Sequence, residues 1–123
     1  MDLKVLLVDD EEDILEVIRD RLEAFGFTVV TAGTGLEALR KLSSEQFDGV
    51  FLDIRMPEMD GMQALEKIRE RDNKIPVIIL TSSSTQQIAF KAIANGANEY
   101  LLKPFEWEEL KAKIEKVYNI SIG

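Results

Sequence analysis

Val5-Leu6-Leu7-Val8-Asp9-Asp10 sets four apolar residues against two acids. The same transition recurs three times. Val50-Phe51-Leu52 ends on Asp53, Val77-Ile78-Ile79-Leu80 ends on Thr81, and Tyr100-Leu101-Leu102 ends on Lys103. Short apolar runs between helical patterns read as strands of a parallel sheet buried on both faces. The carboxyl ends of such strands share one edge, and open α/β sheets bind ligands outside that edge. Three carboxylates, a hydroxyl and an ammonium are therefore expected in one crevice.

The segments between these runs carry helical periodicity. Ile14, Leu15, Ile18, Leu22 and Phe25 mark one face over residues 12–25, stopped by Gly26. A short β-branched strand follows at residues 28–31. Leu36, Leu39 and Leu42 mark a helix to Ser44, and Met62, Leu65 and Ile68 a third after Asp60-Gly61. Pro76 opens the fourth strand, where a missing N–H is tolerated. Ile88, Ala89, Ala92 and Ile93 mark a fourth helix, closed by Gly96. Leu110, Ile114 and Val117 give the last helix its inner face, with Trp107 near its start. Strand–helix alternation of this kind implies a doubly wound α/β domain. Right-handed crossovers favour the order 2-1-3-4-5 for its five-stranded parallel sheet. That order sets Asp9-Asp10 beside Asp53. The third strand is expected from Asp48 to Asp53. No repeat, linker or low-complexity tract breaks the 123 residues, so a single domain over 1–123 with no second domain is expected.

Composition narrows the chemistry. With no His and no Cys, imidazole catalysis, His ligation, disulfides and thiolate metal sites are all excluded. A net charge of -8 argues against direct nucleic-acid binding and against an anionic membrane surface, both of which need clustered Lys and Arg. No apolar stretch reaches the length of a membrane span. Met1-Asp2-Leu3-Lys4 lacks the features of a signal peptide, so a cytoplasmic location is expected.

Each member of the crevice also has a plain reading. Asp9-Asp10-Glu11-Glu12-Asp13 suits a helix start, where acids oppose the macrodipole and Asp caps the first turn. Asp53 suits a turn before Pro57, Thr81 a helix cap, and Lys103 an ordinary surface. Their coincidence at strand ends on one edge favours a site. Asp9, Asp10 and Asp53 bring -3 and Lys103 brings +1, leaving -2. Carboxylates at close range repel unless neutralised. A hard dication such as Mg²⁺ balances the sum and prefers oxygen ligands. A metal beside a carboxylate and an ammonium is equipment for phosphoryl transfer. A carboxylate can itself be the nucleophile and become an aspartyl phosphate.

Essentially the whole chain resembles a receiver domain of the bacterial two-component response regulators. Val5-Leu6-Leu7-Val8-Asp9-Asp10 resembles that family's acidic strand end. Leu52-Asp53-Ile54-Arg55-Met56-Pro57-Glu58-Met59-Asp60-Gly61 resembles its phosphoacceptor segment. Leu80-Thr81-Ser82 resembles its hydroxyl position, and Gly96 to Phe105 its lysine-proline segment. The resemblance implies the flavodoxin-like (βα)5 form of the fold. It implies that Asp53 takes a phosphoryl group from a phosphohistidine on a sensor histidine kinase or phosphotransfer protein. Mg²⁺ would be held by Asp10, Asp53 and the Arg55 carbonyl, and by Asp9 through water. Lys103 would pair with a phosphoryl oxygen, Thr81 would donate its hydroxyl to another, and Tyr100 would be the switch aromatic. The Lys103–Pro104 bond is expected to be cis. Arg55 and Ser83 flank the site at positions that tune phosphoryl lifetime in the family.

The implied function is a signalling switch that catalyses its own Mg²⁺-dependent phosphorylation and slow dephosphorylation, not a metabolic enzyme. Its altered surface would control a downstream effector, with a second copy of the chain as one candidate. A phosphorelay intermediate and a degenerate, non-phosphorylated binding module are the alternatives within the family. A flavin-binding protein is disfavoured, because Asp10-Glu11-Glu12-Asp13 would repel the cofactor's phosphate. A free-standing phosphohydrolase is disfavoured too, because Asp53-Ile54-Arg55 lacks an Asp-x-Asp pattern and no cap domain fits.

Overall fold

A computed structural model describes residues 2–54, 61–81 and 86–122 of the chain. Strands and helices alternate as β1 (Lys4–Val8), α1 (Glu12–Ala24), β2 (Thr28–Ala32), α2 (Gly35–Ser44), β3 (Gly49–Leu52), α3 (Gly61–Arg71), β4 (Val77–Thr81), α4 (Gln86–Ala94), β5 (Glu99–Leu102) and α5 (Trp107–Tyr118). The strands form one parallel sheet in the expected order, β2-β1-β3-β4-β5. β2 and β5 are its edges.

Both faces are covered, which explains why the strand sequences are apolar without alternation. Leu6, Val8, Val50, Leu52, Val77 and Ile79 point to one face, under Ala38 and Leu39 of α2, Ala64, Leu65 and Ile68 of α3, and Ala92 of α4. Val5, Leu7, Phe51, Ile78, Leu80 and Leu101 point to the other, under Ile18 and Leu22 of α1 and Leu110 and Ile114 of α5. Among the described residues no helix is long and apolar enough to cross a membrane.

Two residues assigned inward by spacing lie outward. Leu36 is 45% exposed and Ile93 is 41% exposed. In α2 the buried stripe is Gly35, Ala38 and Leu39, and Leu36 falls about 100° round the helix from Gly35. In α4 the small residues Ala89 and Ala92 approach the sheet and leave Ile93 on the flank. Gly26 and Gly96 end their helices at φ 108° and 104°, a conformation that glycine adopts without steric penalty.

β3 is shorter than the expected span from Asp48 to Asp53, yet its hydrogen bonding continues at both ends. The Asp48 N–H donates to the Lys4 carbonyl at 2.6 Å and the Asp53 N–H to the Val8 carbonyl at 3.0 Å. At the amino end Tyr118 folds over β3 and donates its hydroxyl to the Asp48 carbonyl at 3.0 Å. Burial, with the Asp48 charge, pushes the phenol well above its ordinary pKa. A Cβ on Gly49 would overlap the Tyr118 hydroxyl oxygen, so only glycine fits beneath that ring. Gly49→Ala should therefore cost about 1–3 kcal/mol by urea unfolding, the usual penalty of overpacking. Tyr118→Phe should cost about 1 kcal/mol for the lost hydrogen bond. The double variant should lose clearly less than the sum, because the phenylalanine removes the overlapping atom.

Candidate functional site

In three of the four strand pairs, a backbone bond at the carboxyl end fixes one candidate side chain. The Asp9 N–H donates to the Ala32 carbonyl at 3.1 Å, the Asp53 N–H to Val8 at 3.0 Å, and the Lys103 N–H to Thr81 at 2.8 Å. β1 and β3 pair Val8 with Leu52, so Asp9 and Asp53 emerge side by side. β4 and β5 pair Thr81 with Leu102, so Lys103 follows one step beyond Thr81. The Lys103–Pro104 peptide bond is cis.

These constraints assemble the acidic crevice. Carboxylate oxygens of Asp9, Asp10 and Asp53 all lie within 4.8 Å of one another. Asp9 and Asp53 are buried while Asp10 is exposed. Lys103 reaches across the strand ends and places its ammonium 2.5 Å from Asp9 Oδ2 and 3.5 Å from Asp53 Oδ2. The other oxygen of Asp9 accepts the Glu11 N–H at 3.1 Å. Asp9 is thus engaged through both oxygens, whereas Asp10 stands at the mouth.

The competing reading of this acidic run as a helix cap is not what the geometry uses. The cap residue of α1 is Glu11, and its side chain makes no capping bond. Asp9 instead turns back into the crevice. Acids do occupy the first turn of α1, Glu12 and Asp13, where they oppose the helix dipole. The run divides its work, with Asp9 and Asp10 at the strand end and Glu12 and Asp13 in the helix.

Thr81 ends β4 with its residue only 1% exposed. Strand parity places it on the same face of the sheet as Ile79, and Ile79 pairs with Tyr100 of β5. Tyr100 is half-buried on that face and packs against the same core cluster as Ile88 of α4. Thr81 and Tyr100 are therefore neighbours on one face, offset by two residues along adjacent strands. Arg55, Ser83 and the rest of segments 55–60 and 82–85 lie outside the described residues.

One further residue escaped the sequence reading. The Gly61 N–H donates to the Ile54 carbonyl at 2.7 Å. A Cβ at Gly61 would overlap the Asp53 carbonyl oxygen and the Ile54 backbone. α3 can begin against the backbone that follows β3 only because position 61 has no side chain. The Asp60-Gly61 pair was visible in the sequence as a helix entry, but the approach that requires glycine was not.

Shape alone would have pointed elsewhere. A cavity of about 480 Å³ opens at the opposite edge of the sheet, beside Leu42, Phe47, Ile68 and Ile75, and contains none of the predicted site residues. The crevice is identified by its charge and donor set. Its oxygen ligands suit a hard divalent cation rather than a soft one.

Lys103 and Asp9 form a largely buried pair, with side-chain exposures of 13% and 3%. Removing one partner should leave the other charge uncompensated. Lys103→Met is expected to destabilise the metal-free domain by about 2–3 kcal/mol in urea unfolding. Asp9→Asn should be milder, because it also relieves repulsion from Asp10 and Asp53. The double-mutant cycle should show a coupling of at least about 1 kcal/mol.

Comparison with known proteins agrees with this geometry. Residues 5–115 match the response regulator receiver domain family. The alkaline phosphatase synthesis transcriptional regulatory protein PhoP of Bacillus subtilis is 33% identical over 121 residues, covering 98% of this chain and 50% of that protein. The probable transcriptional regulator ycf27 of Guillardia theta is 41% identical over 114 residues, covering 93% of this chain and 44% of that protein. The chain thus spans about half the length of these relatives. Among solved structures, the response regulator protein TrrA of Thermotoga maritima, in complex with Mg²⁺-BeF, superimposes with a TM-score of 0.86 at 36% identity, covering 94% of this chain and 98% of that one. The receiver domain of the sensor histidine kinase PA1611 of Pseudomonas aeruginosa, with magnesium in its active-site cleft, gives a TM-score of 0.88 at 29% identity, covering 98% and 100%.

Proposed function

The chain belongs to the response regulator receiver domains of two-component systems, and on that footing we propose that it is a phosphorylation switch with Asp53 as its phosphoryl acceptor. The observation that carries the reading is the convergence of Asp9, Asp10, Asp53 and Lys103 at the carboxyl edge of the sheet. The donor is a phosphohistidine on a sensor histidine kinase or phosphotransfer protein. An Asp53 carboxylate oxygen attacks phosphorus. The P–N bond breaks, and its electron pair returns to the donor imidazole. The product is an acyl phosphate on Asp53.

The donor set fits Mg²⁺, which when bound supplies charge neutralisation for the carboxylates and the incoming phosphoryl oxygens. Asp10 and Asp53 would hold it directly, with the Arg55 carbonyl. Asp9 would contribute through water, consistent with both its oxygens being engaged by Lys103 and the Glu11 N–H. Lys103 would move its ammonium from the carboxylates to a phosphoryl oxygen, a charge-assisted contact. Thr81 would donate its hydroxyl to another. Tyr100, two residues away on the same face, would follow Thr81 inward and carry the change to the surface of α4, β5 and α5. That surface exposes Phe90 and Leu102, at 65% and 42%, as apolar contacts for a downstream effector or a second copy of the chain.

Mg²⁺ should stabilise the unphosphorylated domain. With a dissociation constant on the order of 1 mM, 10 mM Mg²⁺ should add about 1.4 kcal/mol by mass action. The measurement is a thermal melt at matched ionic strength. Asp10→Ala should abolish the gain, and an unchanged melting temperature in the unsubstituted domain would count against the metal site.

Acetyl phosphate with Mg²⁺ should add one alkali-labile phosphate, read by intact mass. Asp53→Asn should lose it, since an amide is a poor nucleophile. Labelling of that variant at the native rate would move the acceptor elsewhere. Absence of labelling in the unsubstituted domain would favour a degenerate receiver that acts by binding alone.

A further inference from the structure

We propose that Lys113 is a positioning residue for Tyr100, holding the ring at the open edge of β5 and so setting how readily the domain switches. The inference rests on the reading of Asp53 as acceptor and Tyr100 as the moving aromatic, and it adds the residue that restrains the movement.

Lys113 belongs to α5, whose inner residues Leu110 and Ile114 pack on one face of the sheet. Tyr100 packs on the opposite face, with α4. The two can meet only because β5 is an edge strand, so that a long side chain can pass round it. The Lys113 ammonium lies 5.9 Å from the centroid of the Tyr100 ring. The same ammonium donates to Glu99 Oε1 at 2.8 Å.

Glu99 immediately precedes Tyr100, and its side chain is only 13% exposed. Burial works to raise its pKa, but hydrogen bonds from Lys113 and Lys116 outweigh it and hold the carboxyl below its ordinary value. Glu99 therefore stays ionised at neutral pH and fixes the lysine where it meets the ring. Lys116 also bonds Glu99, at 3.0 Å, but its side chain is 73% exposed and it lies over no aromatic ring among the described residues. One lysine thus bonds the anchor and lies over the ring, while the other bonds the anchor alone.

A movement of Tyr100 toward Thr81 withdraws the ring from the edge where the ammonium sits. The contact exists in one arrangement only, and only such a differential contact can bias an equilibrium. A cation over a tyrosine at a half-exposed site corresponds to about a two- to fivefold change in population. Lys113 is thereby a brake on switching that leaves the acceptor chemistry untouched.

The test compares Lys113→Gln with Lys116→Gln, which change net charge equally. The first readout is the set of Tyr100 ring resonances by NMR in the Mg²⁺ form without any phosphoryl mimic, with Tyr118→Phe to assign them. The second is the beryllofluoride concentration that half-completes the Tyr100 shift. Lys113→Gln should move the ring resonances and lower that midpoint two- to fivefold. Lys116→Gln should do neither, and Lys113→Arg should retain the native behaviour. Equal effects from both glutamine variants, or an unmoved Tyr100 in Lys113→Gln, would overturn the proposal. If beryllofluoride fails to shift the Asp53 amide in the unsubstituted domain, the acceptor reading fails, while the first readout still decides whether Lys113 restrains the ring.

Discussion

Everything at the carboxyl edge depends on one backbone hydrogen bond, from the Asp53 N–H to the Val8 carbonyl. It extends the β1–β3 ladder one residue past the apolar runs and brings two acids out of neighbouring strands together. Parallel ladders space their strands roughly 4.8 Å apart, so acids that end adjacent strands cannot avoid one another. The repulsion this creates is answered within the fold by Lys103, which comes from β5 at the far edge and bonds Asp9 first. The same lysine is positioned by its own N–H on Thr81. Sheet hydrogen bonding therefore sets the distances on which the electrostatics operate.

A buried ion pair of this kind is weak evidence for stability. Taking both charges out of water costs about as much as their attraction returns, and an apolar pair of similar volume often does as well. Its retention in a crevice with a residual charge of -2 is better understood as readiness. Under the proposed function, the lysine would compensate the carboxylates until a cation and an anionic group arrive, and would then transfer its contact without rebuilding the site. Preorganised charge of this sort requires little rearrangement at the moment of reaction.

The two faces of the sheet carry different responsibilities. α1 and α5 cover the Val5, Leu7 and Phe51 face, which holds no predicted switch residue. α3 and α4 cover the face shared by Thr81 and Tyr100. α4 meets this face through buried Ala89 and Ala92 and half-buried Ile88. The edge strand β5 links this face to α5 through Glu99, Lys113 and Tyr100.

The sequence by itself marked the apolar strand runs and the polar residues that follow them, Asp9, Asp10, Asp53, Thr81 and Lys103. These follow from local signals, since apolar runs mark buried strands and the residue after each run emerges at the sheet edge, whereas the strand order was expected from crossover handedness and the few doubly wound topologies. It also showed Gly26 and Gly96 as helix stops. Tertiary structure alone decided which carboxylate Lys103 holds, a contact between residues 94 positions apart. It separated buried Asp9 from exposed Asp10, which adjacent positions in the sequence cannot distinguish. It turned Leu36 and Ile93 outward, because periodicity gives a stripe but not the angle at which the helix meets the sheet. It required glycine at 49 and 61, where another part of the chain fills the space of a side chain. And it laid Lys113 against Tyr100, a contact set by how α5 packs beside an edge strand rather than by either residue's neighbours in sequence.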